Sequence, residues 1–397
     1  MKNKNCHRTL LHMLALLLFL TGPSCKNLTE SKNHVTQDEK FRKLFYSESG
    51  GLTGADGLFS ILLPDGSSIF FVGDCFLGEV VNGSRDTGTR MLRNAGNHIN
   101  KENTTAVPVI RGSIDDPLTL MEPVNEKGDT TYRWYWPGHG LVKNDTLYVF
   151  ALNLYNDPSL IVRTDKPENE ADILDEMTET MFAFRISRID LHSFKYPGFT
   201  HLETNNVDID YSRNQIDFGN CIMVDEGYVY IYGTKIYPDK AKIHVARIPL
   251  ESNALYTGWE FYDGTEWNDS ICNSIPMETD VSVSEQFSIF RYGSKYILLT
   301  QERGGADIYA YVSDFPHKSF QNRKFIYHTT ESETDTSKMI FTYNALAHQQ
   351  FIENDELLVS YCVNSFNVRD VYDNVEAYRA KFLRVPMALI LSEKDRK

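Results

Sequence analysis

The sequence predicts an all-β chain folded as a five-bladed β-propeller, and three observations carry that prediction. Strand-forming residues dominate: the 397 residues include 23 Phe and 22 Tyr, types that suit a pleated, half-buried surface. One design also recurs five times, in which a small or polar residue opens an apolar run, then comes a turn, then a second run rich in Tyr, Val, Ile and Phe. The copies start at Asp56, His139, Gly219, Glu285 and His348, roughly 60 to 85 residues apart, a little more than one four-stranded blade needs. Finally, each copy carries its own turn signal: Asp65-Gly66, Asn144-Asp145, Glu226-Gly227, Tyr292-Gly293 and Asn354-Asp355. Closing five such units into a ring would remove the edges an open sheet exposes.

The N-terminus comes first in order. Lys2, Lys4 and Arg8 form a basic head, residues 10–20 an apolar stretch, and residues 21–24 a small-residue exit before Cys25. That is the layout of a signal peptide over residues 1–24, whose apolar run is too short to span a bilayer as a stable helix. Cys25 is the expected lipidation site of a bacterial lipoprotein, although Gly22 stands where the usual motif has Leu. Ordinary cleavage nearby, with Cys25 incidental, is the alternative. Residues 25–44 are expected to tether the domain to the membrane. The protein is therefore expected outside the cytoplasm, and Lys26 rather than Asp after the cysteine favours the outer membrane.

One propeller domain is expected over 45–390, with a polar tail at 391–397. Its blades fall near 45–115, 130–200, 210–268, 278–330 and 338–390. Third strands are expected at 183–189, 244–249, 307–313 and 377–386, and only 173–181 reads as helical. Of six cysteines, Cys6 leaves with the signal and Cys25 is the lipid site. Cys75, Cys221, Cys272 and Cys362 lack C-x-x-C spacing, which disfavours a thiolate metal site. The net charge of -14 argues against nucleic acid or anionic lipid as partner and suits a neutral or cationic ligand.

Several segments carry a family resemblance. Gly54-Ala-Asp-Gly, Leu63-Pro-Asp-Gly and Phe71-Val-Gly-Asp-Cys-Phe-Leu-Gly open it. Trp136-Pro-Gly-His-Gly, Gly227-Tyr-Val-Tyr-Ile-Tyr-Gly, Trp259-Glu-Phe-Tyr-Asp-Gly-Thr-Glu-Trp, Tyr343-Asn-Ala-Leu-Ala-His and Leu358-Val-Ser-Tyr-Cys-Val-Asn follow in order. Together they resemble a family of secreted bacterial five-bladed propellers, long catalogued as domains of unknown function, with a branch recognised as endo-D-arabinanase glycoside hydrolases. The resemblance implies this fold and an arabinan-like polysaccharide substrate. Where the family often has Gly-Asp-Thr, this chain has Gly73-Asp74-Cys75, which keeps Asp74 and changes its neighbour.

If the first run of each repeat is the innermost strand, its start faces the mouth of an axial channel. Asp56, His139, Asn220, Glu285 and His348 would stand there. The antiparallel second strands return Asp74, Asn153, Lys235, Gln301 with Glu302, and Asn364 to the same rim. Such a polar ring fits a sugar site, because unpaired polar groups are costly in a purely structural channel. Glycosidic hydrolysis needs one protonated and one ionised carboxyl. Asp56 and Glu285, from non-adjacent blades, are the expected pair, with Glu285 raised in proton affinity by an enclosed aromatic setting and Asp74 orienting Asp56. Trp136 is the ring expected to stack on sugar, and His139, Asn220, His348, Asn153, Gln301 and Asn364 are expected to bind it.

The plainer readings are that Asp56 caps a turn, Asp74 ties the backbone, and Glu285 lies exposed on a loop. A cation held by His139, His348 and carboxylates lacks any short ligand spacing, so no metal or cofactor is expected. A glycan-binding propeller without catalysis is the rival function. A lyase or isomerase on an acidic sugar would need Lys235 or Arg93 in the cleft.

Overall fold

The computed structural model describes residues 34–125, 129–163, 172–334 and 336–396. The signal segment and Cys25 lie outside the described residues, so lipidation remains an expectation. The described chain is all-β, as expected. Its principal units are five antiparallel sheets of four or five strands. Each opens on a hairpin: Phe59–Leu62 with Ser68–Val72, Arg133–Lys143 with Thr146–Asn156, Asp217–Asp225 with Tyr228–Ile236, Ser288–Tyr292 with Lys295–Gln301, and Ile340–Glu353 with Glu356–Ser365. Three of the five turns hold both central residues at positive φ, at Asn144-Asp145, Glu226-Gly227 and Asn354-Asp355. That backbone matches the twist of the flanking strands.

Five apolar cores join these sheets in a cycle. Phe71 and Ile69 pack with Val149 and Phe194 between the first and second sheets. Phe150 and Leu191 pack with Phe218 and Ile231 between the second and third. Tyr232 and Val245 meet Ile289 and Leu298 next, and Ile297 and Leu299 meet Val359 and Leu383 after them. The fifth core returns Phe382 and Leu358 to Phe70 and Val72 of the first sheet. At the centre, a cavity of about 30 Å³ is lined by Ser60, His139, Cys221, Ile289 and His348, one residue from the first strand of every sheet.

The folded domain begins earlier than the expected boundary at residue 45. Strand Thr36–Gln37 pairs with Leu383 and Arg384 and so completes the fifth sheet. Helix Glu39–Phe45 buries Phe41 and Phe45 against Phe70 and Phe382. Asp38 caps the helix by accepting from the Phe41 N–H at 2.8 Å and ties it down by pairing with Arg384 at 2.7 Å. The C-terminal segment is also docked: Leu391 is buried and Arg396 pairs with Asp355. The 173–181 reading holds as helix Ile173–Thr180, with an Asp172–Asp175 capping box.

Candidate active site

Every hairpin turn lies at one end of the sheets, so the starts of the first strands gather at the other. Four of these strands are irregular near that end. In the first sheet the strand breaks at Asp56-Gly57, with Gly57 at φ 63°. Register shifts follow between Pro137 and Gly140, Phe218 and Cys221, and Tyr343 and Leu346. Each inserted residue bends its strand and re-aims the neighbouring side chains. At Gly219, φ is 101° and a Cβ would strike the Phe150 side chain, so only glycine fits.

Two clusters of carboxyls result. Asp56 is half-buried, and its Oδ2 accepts from the Tyr343 hydroxyl at 2.6 Å. Burial first, then the charge of nearby Asp74, lifts its pKa to about 7, against the opposing effect of the Tyr343 and Tyr378 phenols. The Tyr378 hydroxyl itself donates to the Asp74 carbonyl at 3.1 Å. Asp74 accepts from Arg93 Nη1 at 3.2 and 3.3 Å. Burial raises the Asp74 carboxyl above its ordinary range, while the Arg93 guanidinium pulls it back down. Arg93 is held in turn by the Tyr132 hydroxyl at 3.1 Å and lies over the Trp134 ring at 4.6 Å.

The second cluster centres on Asp217, which opens the first strand of the third sheet. Its Oδ1 accepts from the Tyr211 hydroxyl at 2.6 Å. Burial lifts its pKa to about 7; the Tyr211 hydrogen bond opposes this and the charge of Glu285 adds to it. Glu285 is 44% exposed and paired with Arg303 Nε at 2.6 Å. The expected enclosed, aromatic setting of Glu285 is therefore corrected, and the more buried carboxyl beside it is Asp217. The two clusters share one rim: Gln286 Nε2 stands 3.5 Å from where a Cβ on Gly57 would lie, and its neighbour Glu285 is the charge felt at Asp217.

Most of the expected sugar-binding ring is committed to internal bonds. His139 Nε2 donates to the Ser60 carbonyl at 3.0 Å and Nδ1 accepts from the Ile222 N–H at 2.9 Å, which sets one neutral tautomer. Burial lowers its pKa to about 4. His348 lies between the Ser60 and Ser360 hydroxyls, 2.8 Å from each, and burial lowers its pKa to about 3. Asn220 donates to the Glu285 carbonyl at 2.7 Å. Asn153 donates to Asp190 at 3.0 Å and to Tyr135, and Gln301 to the Gly305 carbonyl and Thr342 at 2.9 Å. These five side chains are engaged in ties within and between sheets, and their role in binding sugar stays an expectation of the sequence. The inserted residues carry His139 and Asn220 one step past the mouth.

Asn364 keeps a place at the site, 3.4 Å from the Tyr343 hydroxyl. Trp136 is half-buried and edge-on to Phe184 at 4.7 Å. Its indole N–H has no hydrogen-bond partner among the described residues, although it lies close enough to Asp74 to help hold that carboxyl down. Among the described residues no group of three or more His, Cys, Asp or Glu side chains is placed to hold a metal ion.

Sequence reading missed Asp217, Tyr343 and Tyr378. The signal for Asp217 was Gly219, since a glycine inside a strand pattern marks a bulge, and a bulge moves the mouth position back from Asn220.

Comparison with solved structures finds chains of similar fold. A Bacteroides ovatus protein described provisionally as a hydrolase is 18% identical, with a TM-score of 0.68 over 90% of this chain and 93% of its own. A β-xylosidase/α-arabinofuranosidase from a compost metagenome is 12% identical, with a TM-score of 0.47 over 88% and 94%. A family 117 glycoside hydrolase from Zobellia galactanivorans is 10% identical, with a TM-score of 0.45 over 90% and 91%. No match was found among curated proteins. A family model described as a domain of unknown function (DUF5005) matches residues 38–387, and the chain belongs to that family.

Proposed function

We propose that the protein is a five-bladed propeller and a glycoside hydrolase acting on a neutral, arabinan-like polysaccharide outside the cytoplasm. The cyclic order of the five cores supports the propeller reading. The observation that carries the function is the geometry at Asp56, a half-buried carboxyl held by the Tyr343 hydroxyl at 2.6 Å beside the Asp74–Arg93 pair, with Asp217 and Glu285 as the further carboxyls of the strand starts; burial lifts both Asp56 and Asp217 to about 7. Groups poised there exchange protons at neutral pH, as acid and base in glycosidic cleavage must.

The surroundings divide the roles. Two phenols favour the anion of Asp56, so Asp56 attacks the anomeric carbon or activates water. One phenol acts on Asp217, and a neighbouring carboxylate disfavours its ionisation as Asp74 does that of Asp56; with one donor fewer to hold its anion, Asp217 is assigned to protonate the leaving oxygen. Asp74, held by Arg93, keeps the proton affinity of Asp56 high. Localisation rests on the basic head, apolar run and Cys25 of the sequence.

The test is release of reducing ends from a polysaccharide panel that includes D-arabinan. Asp56→Asn is expected to lower the rate by about three orders of magnitude, in line with loss of an acid–base group, while polysaccharide binding survives. Binding without hydrolysis in the unaltered protein would instead leave a glycan-capture function.

A further inference from the structure

Beside the carboxyl site runs a line of aromatic rings of which the proposed chemistry uses only the Tyr343 hydroxyl. Tyr343, whose hydroxyl holds Asp56, lies 5.2 Å from Phe341 at an interplanar angle of 35°. Phe341 lies 4.4 Å from Phe366 at 33°. Phe366 lies 5.9 Å from Phe182. The line opens progressively to solvent: Tyr343 and Phe341 are half-buried, Phe366 is 45% exposed and Phe182 51%. Leaving two touching phenylalanines this open gives up the stabilisation that burial would bring, and their place in line with the carboxyl site offers apolar surface to a ligand there.

The patch is built from distant parts of the chain and braced from behind. Phe182 follows helix Ile173–Thr180, and Phe366 precedes helix Val368–Asp373. The two helices pack through Leu174, Val368 and Val371. Val368 N–H donates to Thr178 at 3.0 Å, and Arg369 pairs with Asp172 at 2.8 Å. The Phe366 N–H is fixed to the Met339 carbonyl at 3.0 Å. Rings supported this way lose little freedom when a ligand settles on them.

We propose that Tyr343, Phe341, Phe366 and Phe182 form a stacking track that receives successive sugar rings of one neutral polysaccharide chain, leading outward from the carboxyl site. The apolar C–H faces of sugars suit the electron-rich ring faces. Continuity with Asp56 through the Tyr343 hydroxyl assigns the track to the chain being cut, and the overall negative charge disfavours a polyanion. The inference rests on the hydrolase reading and extends it: the substrate is a polymer gripped over several residues, beyond the bond that is cleaved.

The test uses Asp56→Asn protein, so that substrate survives, and measures its affinity for oligosaccharides of increasing length cut from D-arabinan, arabinan, xylan and β-glucan. Affinity is expected to climb with length until the ligand spans the line from Tyr343 to Phe182. Adding Phe366→Ala and Phe182→Ala together is expected to weaken the longest ligand at least tenfold and to end the climb earlier. Phe366→Tyr, which keeps the ring, should restore it. Affinity independent of length, equal binding by the double alanine variant, or binding to none of the panel would overturn the track. If the track holds but the unaltered protein cleaves nothing, the hydrolase reading fails alone. If cleavage is lost in Asp56→Asn while the track variants bind normally, the track fails alone.

Discussion

Tyr343 sets the balance at Asp56. Its hydroxyl donates to the anion at 2.6 Å, and that donation works against the burial and the Asp74 charge that raise the carboxyl to about 7. Tyr343→Phe removes a donor that favours the charged form, so the pKa of Asp56 rises further. If Asp56 must be ionised to act, the acid limb of kcat/KM moves to higher pH. A shift of one unit would cost about tenfold in rate at pH 6, and a pH–rate profile of the variant measures it. An unmoved limb would mean that Asp56 is not the group titrating there. Asp56 and Asp74 were legible in the sequence because Asp56-Gly57 and Gly73-Asp74 sit at strand ends in segments with a family likeness. Asp217 was not, because its side chain reaches the mouth only through the bulge at Gly219. Nor were the phenols, since a tyrosine in a strand pattern reads as core until its hydroxyl is seen to meet a carboxylate.

At the scale of elements, the hairpins were the most legible feature, since turn residues and alternating apolar runs mark them locally. Third strands were read within a few residues; that at Asp307–Ser313 matched, while 183–189 extends to Phe184–Lys195. The N-terminal strand and helix were read as tether because residues 34–44 are largely polar, and their anchoring depends on a partner more than 300 residues away. Pairing of Thr36–Gln37 with Leu383 and Arg384 has no local signature. Burial of Phe41 and Phe45 in the core between the fifth and first sheets gives this element its weight. Replacing both with alanine is expected to cost on the order of 6 kcal/mol, from about 3 or more per buried Phe. Denaturant unfolding would show it as a lower midpoint. An unchanged midpoint would return residues 36–45 to the role of a tether.

For the whole molecule, five sheets joined by five cores leave their first strands around one small cavity. His139, His348, Asn220 and Gln301 bond across neighbouring sheets, as His139 does between Ser60 and Ile222, while Asn153 bonds within its own sheet. Side chains at bulges could not be assigned to the mouth or to the interior from spacing alone, because one inserted residue exchanges the two. With the interior side chains bonded to one another, the proposed chemistry falls to the rim, where Asp56 and Asp217 stand with Glu285 beside Asp217. The most direct measurement is therefore reducing-end release over a pH series by Asp217→Asn and Glu285→Gln on the polysaccharide that the unaltered protein cleaves. Loss of Asp217 is expected to lower the rate by about three orders of magnitude. Loss of Glu285 relieves the charge that raises Asp217, so activity persists and its alkaline limb shifts to lower pH. Full activity in Asp217→Asn, with activity lost in Glu285→Gln, would contradict the account and make the exposed glutamate the acid.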